Sequence, residues 1–316
     1  MKKLTIMMIT LTFGASAIVG CANPIHYSTS TSSPTNIANT TGWASQENPS
    51  SSPVPLWDVW GTSASDVFAV GPVGTILKYN GKAWTNTSSG TTNDLWGVWG
   101  TSSSDVFTVG VNTILDFDGK VWNQMDMGTL ALLNGIWGSS ASDVFAVGNV
   151  GATLHYNGKV WTQGESITDE DLHNVWGSSS NNIFAVGSGG IILHYDGKAW
   201  TIVKSNTKED LWDVWGSSSN NVFAVGNDGF VLHYNGKTWT ILDSGTRENL
   251  YGVWGSSANN VFAVGNGGTI LHWEGKTWSS VSSGVTSNLI KVWGSSASDV
   301  FVVGDSGTIL HYSGPY

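Results

Sequence analysis

Seven copies of the hexapeptide LWxVWG, some with one or two substitutions, begin at Leu56, Leu95, Leu133, Leu172, Leu211, Leu250 and Leu289, spaced 39, 38, 39, 39, 39 and 39 residues apart. A unit of that length cannot bury a core alone, so the copies must pack on one another. Each unit reads as four short strands, A to D: LWxVWG, VFAVG, TILHY and a last strand around the Trp of GKxWT. The segments between them have turn chemistry. Ser and Asx side chains in SSxSD or SSxNN suit the A-to-B connection, and Gly-x-x-Gly, as at Gly226 to Gly229, suits B-to-C. Asn-Gly or Asp-Gly, as at Asn80-Gly81 and Asp196-Gly197, predicts a type I′ hairpin between C and D.

The ends of the chain decide how the units assemble. Repeat seven stops at His311-Tyr312-Ser313-Gly314, before its D-strand Trp, while an extra Trp stands at Trp43. Trp43 precedes Leu56 by 13 residues, where Trp84, Trp122, Trp161, Trp200, Trp239 and Trp278 precede the next repeat by 11. A chain that begins with strand D and ends with strand C completes its last sheet only by joining its termini, which closes a ring and removes sheet edges. The expected fold is therefore all-β: a seven-bladed β-propeller with four antiparallel strands per blade, its last blade closed by the N-terminal strand. Pro53 and Pro55 fall in the longer first connection, outside the ladders.

Regularity also sorts the aromatic residues. Of 18 Trp, seven end strand A (Trp60, Trp99, Trp137, Trp176, Trp215, Trp254, Trp293) and seven mark strand D, leaving Trp57, Trp96, Trp212 and Trp273. The strand-A set is expected to wedge between blades, and all fourteen are structural on this view. His155, His194, His233, His272 and His311 share one position of strand C, with Lys78 and Asp116 replacing them in the first two repeats. Equivalent positions in a ring lie too far apart for one metal ion, so each is expected to hydrogen-bond within its own blade, and no metal or other cofactor is expected.

Residues 1–20 read as a secretory leader: Lys2 and Lys3, then an apolar stretch from Leu4 to Ile18. Ile18-Val19-Gly20-Cys21 resembles the bacterial lipobox, which implies diacylation of Cys21, the only Cys in the chain. Ala22, in place of the Asp of inner-membrane lipoproteins, implies outer-membrane sorting within the cell envelope. Residues 21–42 then form an acylated, Ser/Thr/Asn-rich tether, and 43–316 the propeller. Net charge is −10, and about −12 without the two leader lysines, which argues against nucleic acid as a partner.

The repeats are similar to the propeller units of bacterial secreted proteins with a WGSSxxDVFAVGxxGTILHYDGxxW signature, and more distantly to the BNR or Asp-box propellers and the photosystem II assembly-factor propellers. The resemblance covers residues 43–316. Tyr195-Asp196-Gly197-Lys198-Ala199-Trp200 stands where the Asp-box hairpin falls, one residue shorter between Asp and Trp. Asp-box sialidases clamp their substrate with three Arg; this chain has only Arg247, so that activity is excluded. Thiol catalysis has no free Cys. Carboxylates gather in the D-to-A loops (Asp94, Glu165, Asp169, Glu170, Asp171, Glu209, Asp210, Glu248), and read as a solvated rim rather than an acid–base pair or calcium site.

The second residue of strand A differs from blade to blade: Trp57, Trp96, Asn134, His173, Trp212, Tyr251, Ile290. It lies where the innermost strand leaves the D-to-A loop, at the channel mouth. Trp57, Trp96, His173, Trp212 and Tyr251 are therefore the candidate ligand contacts, stacking on sugar rings or receiving a partner's side chains, unless they only plug the channel or pack between blades. The expected function is a non-enzymatic binding or scaffold protein that engages a protein partner through this face. A carbohydrate-binding propeller is the alternative, and a glycosidase or lyase, which needs two carboxylates in a cleft, comes third.

Overall fold

The computed structural model describes residues 42–314. The expected leader, the expected acylation site Cys21 and the expected tether up to residue 41 lie outside the described residues. Seven separate four-stranded antiparallel sheets follow one another along the chain. In blade 2 the strands are Leu95–Ser102, Asp105–Gly110, Thr113–Phe117 and Trp122–Gln124. The sheet of blade 7 runs Trp43–Ser45, Ile309–Ser313, Asp299–Gly304, Leu289–Ser296, with Trp43 opposite Tyr312. The N-terminal strand thus completes the last blade. On the inner side the same seam is closed by the Leu56 N–H donating to the Gly304 carbonyl at 3.1 Å, as Leu95 N–H donates to Gly71 between blades 1 and 2.

Both Trp sets sit between blades. A methyl group placed at Gly138 would stand 2.5 Å from the Trp99 ring, and the same contact recurs from Trp60 on Gly100 round to Trp293 on Gly61. The glycine of WG is thus the seat of the preceding blade's Trp. The strand-D Trp meets the strand-B Phe of the preceding blade edge to face: Trp43 on Phe262, Trp84 on Phe301, Trp239 on Phe184. Strand B (VFAVG) is buried on both sides, which accounts for its unbroken apolar run.

One turn expectation is corrected. The C-to-D connection is a four-residue loop in which only the glycine has positive φ (Gly81, +86°), not a type I′ pair. Asn80 is required for a different reason: its Oδ1 accepts the N–H groups of Lys82 and Ala83, both at 3.0 Å, an Asx turn. The A-to-B connection has the expected side-chain chemistry: two residues separate strands ending at Ser102 and starting at Asp105, and the Ser102 hydroxyl accepts the Ser104 N–H at 3.3 Å.

The single 38-residue spacing has its cause in blade 2, whose B-to-C loop (Val111-Asn112) is one residue shorter than that of blade 1 (Pro72-Val73-Gly74). Because strands alternate in direction, the D-to-A and B-to-C loops share one face, here called upper; the A-to-B and C-to-D turns form the lower face.

Candidate functional site

The strand-C histidines behave as expected. Nε2 of His155, His194, His233, His272 and His311 meets Asp143, Asn182, Asn221, Asn260 and Asp299 at 2.5–2.7 Å, always twelve residues back in the same blade. Each ring also lies against its own strand-B Phe, closest for His311 on Phe301 at 4.0 Å and 7°. Lys78 takes over both contacts in blade 1, with Nζ 3.2 Å from Asp66 and 4.6 Å above Phe68. Burial lowers the pKa of His194, His233 and His272, keeping them neutral near pH 7. Among the described residues no group of three or more His, Cys, Asp or Glu is placed to hold a metal ion.

The loop carboxylates need a partial correction. Asp94, Asp171 and Asp210 do not merely face solvent: each accepts a backbone N–H from the B-to-C loop of the preceding blade, from Val73 at 2.9 Å, Val150 at 2.8 Å and Gly189 at 2.8 Å. Asn249 and Asn288 do the same for Asp228 and Gly267. A charge-assisted bond to a loop N–H ties each D-to-A loop to the neighbouring B-to-C loop and orders the upper face. Glu165, Asp169, Glu170 and Glu248 are exposed, as a rim should be.

All seven second-position residues are half-buried. They neither point freely into solvent nor disappear into the core, and neighbours interlock. His173 stacks on Trp212 at 4.2 Å and 11°, Tyr251 meets the other side of Trp212 edge to face at 5.9 Å, and Trp57 and Trp96 lie 6.4 Å apart. His173 Nδ1 faces the Leu211 carbonyl at 2.9 Å, which only accepts, so Nδ1 carries the proton and Nε2 receives the Ser188 hydroxyl at 3.3 Å. Burial, only partly opposed by that carbonyl and by Asp210 and Asp171, lowers its pKa, so the ring is neutral. Trp212 Nε1–H donates to Asn227 at 2.7 Å, and Asn134 bridges Asn149 and the Leu172 carbonyl. The structure thus brings His173, Trp212 and Tyr251 into one row over blades 4 to 6, and Trp57 with Trp96 into a pair over blades 1 and 2.

The channel itself is filled one residue further along strand A, by groups that the repeat analysis passed over. Lys291 Nζ stands 2.8 Å from Asp213 and 3.9 Å from Asp58, and Asn174 also bonds to Asp213. Side chains from blades 1, 4, 5 and 7 can meet only on the ring axis. Both Asp58 oxygens accept backbone N–H groups, from Val59 in its own blade and Val98 in the next, each at 2.8 Å; Asp213 does likewise with Val214 and Val253. The third residue of LWxVWG reads Asp, Gly, Gly, Asn, Asp, Gly, Lys around the ring, and that variation was the available signal. Burial pushes the Asp58 carboxyl up to about 6 against the pull of Lys291. For Lys291 the carboxylates of Asp213 and Asp58 outweigh its burial, raise its pKa and keep it charged. The two aspartates are a carboxylate pair in the middle of the molecule, but Lys291 lies between them and their oxygens are held by backbone. With Lys291 between them and backbone N–H groups on their oxygens, the pair is not the open, facing carboxylate pair that glycoside hydrolysis uses.

Against known proteins, no family description and no curated protein matches the sequence. Solved structures match its shape. YCF48 bound to D1 peptide superposes with a TM-score of 0.74 at 20% identity, over 88% of this chain and 98% of that one. YCF48 from Cyanidioschyzon merolae gives 0.71 at 17% identity, over 86% and 98%. The WD40 propeller domain of Doa1 gives 0.68 at 14% identity, over 87% and 98%. At these identities the likeness establishes the fold alone, a seven-bladed propeller that the chain shares with the photosystem II assembly-factor propellers and with a WD40 domain.

Proposed function

We propose that the protein is a non-enzymatic binding propeller, tethered to the cell envelope by a lipid on Cys21, that holds a protein partner on its upper face around the channel mouth. One observation carries this: apart from the third-position residues that fill the channel, the large side chains that differ between blades lie chiefly on that face, where half-exposed Trp57, Trp96, His173, Trp212 and Tyr251 surround a channel already closed by Lys291, Asp58 and Asp213. A filled channel leaves a broad surface instead of a pocket, and a broad surface with aromatic anchors suits a polypeptide. Support comes from the structurally similar YCF48, which is solved with a peptide bound. Outer-membrane sorting, implied by Ala22, belongs to the same proposal.

The test is partner capture from envelope extracts by the wild type and by a variant with Trp57, Trp96, Trp212 and Tyr251 all changed to Ala. The variant must first show a cooperative thermal transition, because these side chains also pack on one another. The expected result is loss of the captured partner by the folded variant. Undiminished capture would reject this face.

A further inference from the structure

From the upper face we infer the chemistry of the partner: a polypeptide segment that is basic along one part and apolar along another. This inference rests on the proposed function and refines it. The apolar half of the site lies on blades 1 to 3. Leu130 is 83% exposed, Val73 65%, Val150 63% and Leu132 37%. Four large apolar side chains set out on loops have no packing reason to be there. Leu132 pairs with Val111, and its carbonyl accepts the Asn149 N–H at 2.9 Å, so Leu130, Leu132 and Val150 form one stretch.

Two further features set this stretch apart from the other blades. Leu132 occupies the position that Asp94, Asp171, Asp210, Asn249 and Asn288 use to cap a neighbouring loop. The shortened loop of blade 2 lacks the residue whose N–H is capped elsewhere, while its Asn112 N–H keeps the bond to Ala131 that Gly74 and Gly151 make to Asn93 and Glu170. The capping duty is gone, and an apolar residue takes the place. Val73 and Val150, in turn, hold left-handed backbone at φ +54° and +55°, where the equivalent residues in blades 4 and 6 are Gly189 and Gly267. A β-branched residue is strained there and glycine is not. An exposed, strained valine is retained against folding stability at both sites.

Charge identifies what covers the patch. Of the carboxylates beyond residue 42, thirteen lie on the upper face against Lys204, Lys208 and Arg247 alone, a balance of −10. The lower face has eight against seven cations, six of them the lysines of the C-to-D turns, and the channel has two against one. Nearly all of the propeller's net charge is therefore on the face with the apolar patch. An eight-residue strand rises about 26 Å, roughly three Debye lengths at physiological salt, so the lysines below do not offset it. Arg247 is itself engaged with Asp228 at 3.3 Å. Exposed Glu165, Asp169, Glu170 and Glu248 continue the rim from the apolar stretch across blades 4 to 6. Such a field draws in cationic segments and repels acidic ones, while the apolar patch fixes register.

The experiment is selection from a random twelve-residue peptide display library on the immobilised whole protein, at 50 and 300 mM salt. Two variants run beside it: Glu165→Lys/Glu170→Lys/Glu209→Lys/Glu248→Lys, and Leu130→Ser/Leu132→Ser/Val150→Ser. The expected outcome is enrichment of peptides rich in Lys or Arg with Leu, Ile or Phe, bound at least tenfold more weakly at high salt and lost on either variant. Enrichment of neutral or acidic peptides that still depend on Leu130, Leu132 and Val150 would overturn the charge inference and leave the proposed face standing. Enriched peptides that bind both variants as well as the wild type would overturn the inference and the proposed face together.

Discussion

Asp58 is a carboxylate shut into the ring axis, where burial raises its pKa to about 6 even with Lys291 beside it. Its folded form keeps a proton that the unfolded chain has already released between about pH 4 and 6, so this residue lowers stability as pH rises through that window. Asp58→Asn keeps one acceptor for the backbone and removes the titration. In urea unfolding, the variant's stability relative to wild type is expected to climb between pH 4.5 and 7, by on the order of 2–3 kcal/mol. A relative stability flat with pH would contradict the account of the channel. At this scale the sequence was only partly legible. The pairing of each strand-C His inside its blade followed from period alone, because a repeat fixes what lies twelve residues back. The meeting of Asp58, Asp213 and Lys291 did not, because it joins residues 78 or more positions from Lys291 across an axis that no local pattern marks.

At the scale of elements, ring closure depends on a three-residue strand, Trp43–Ser45. So short a strand is held mainly by Trp43, which is fully buried against Phe262 and Tyr312. Trp43→Ala is expected to cost about 3–5 kcal/mol, more than Trp200→Ala, whose Trp is the one strand-D Trp left half-exposed. Chemical denaturation of both variants checks this, with proteolysis before Leu56 as a second readout. Equal losses would mean that the terminal strand closes nothing. The elements themselves were legible: seven repeats, four strands each, and the displaced Trp43 defined the topology. The hairpin geometry was misjudged because Asn-Gly satisfies two turn designs. Here the Asn side chain caps backbone N–H groups, and the loop is four residues long.

For the whole molecule, seven near-identical blades make the frame, and their departures from identity gather chiefly in the channel and on the upper face. The sequence pointed to that face through its variable second position. It did not reveal that those aromatics interlock and lie half-buried, or that Leu130, Leu132 and Val150 stand out beyond them, since exposure depends on how one blade's loop shields the next. Nor did a total charge of −10 show that the lower face is close to neutral. The central claim is that the upper face, and not the lower, holds the partner. Its most direct test is site-specific photocrosslinking in cells, with a photoreactive phenylalanine at Leu130 on the upper face or at Lys237 on the lower. The account predicts a discrete crosslinked protein from position 130 and none from position 237. A crosslink from position 237 with none from position 130 would contradict it.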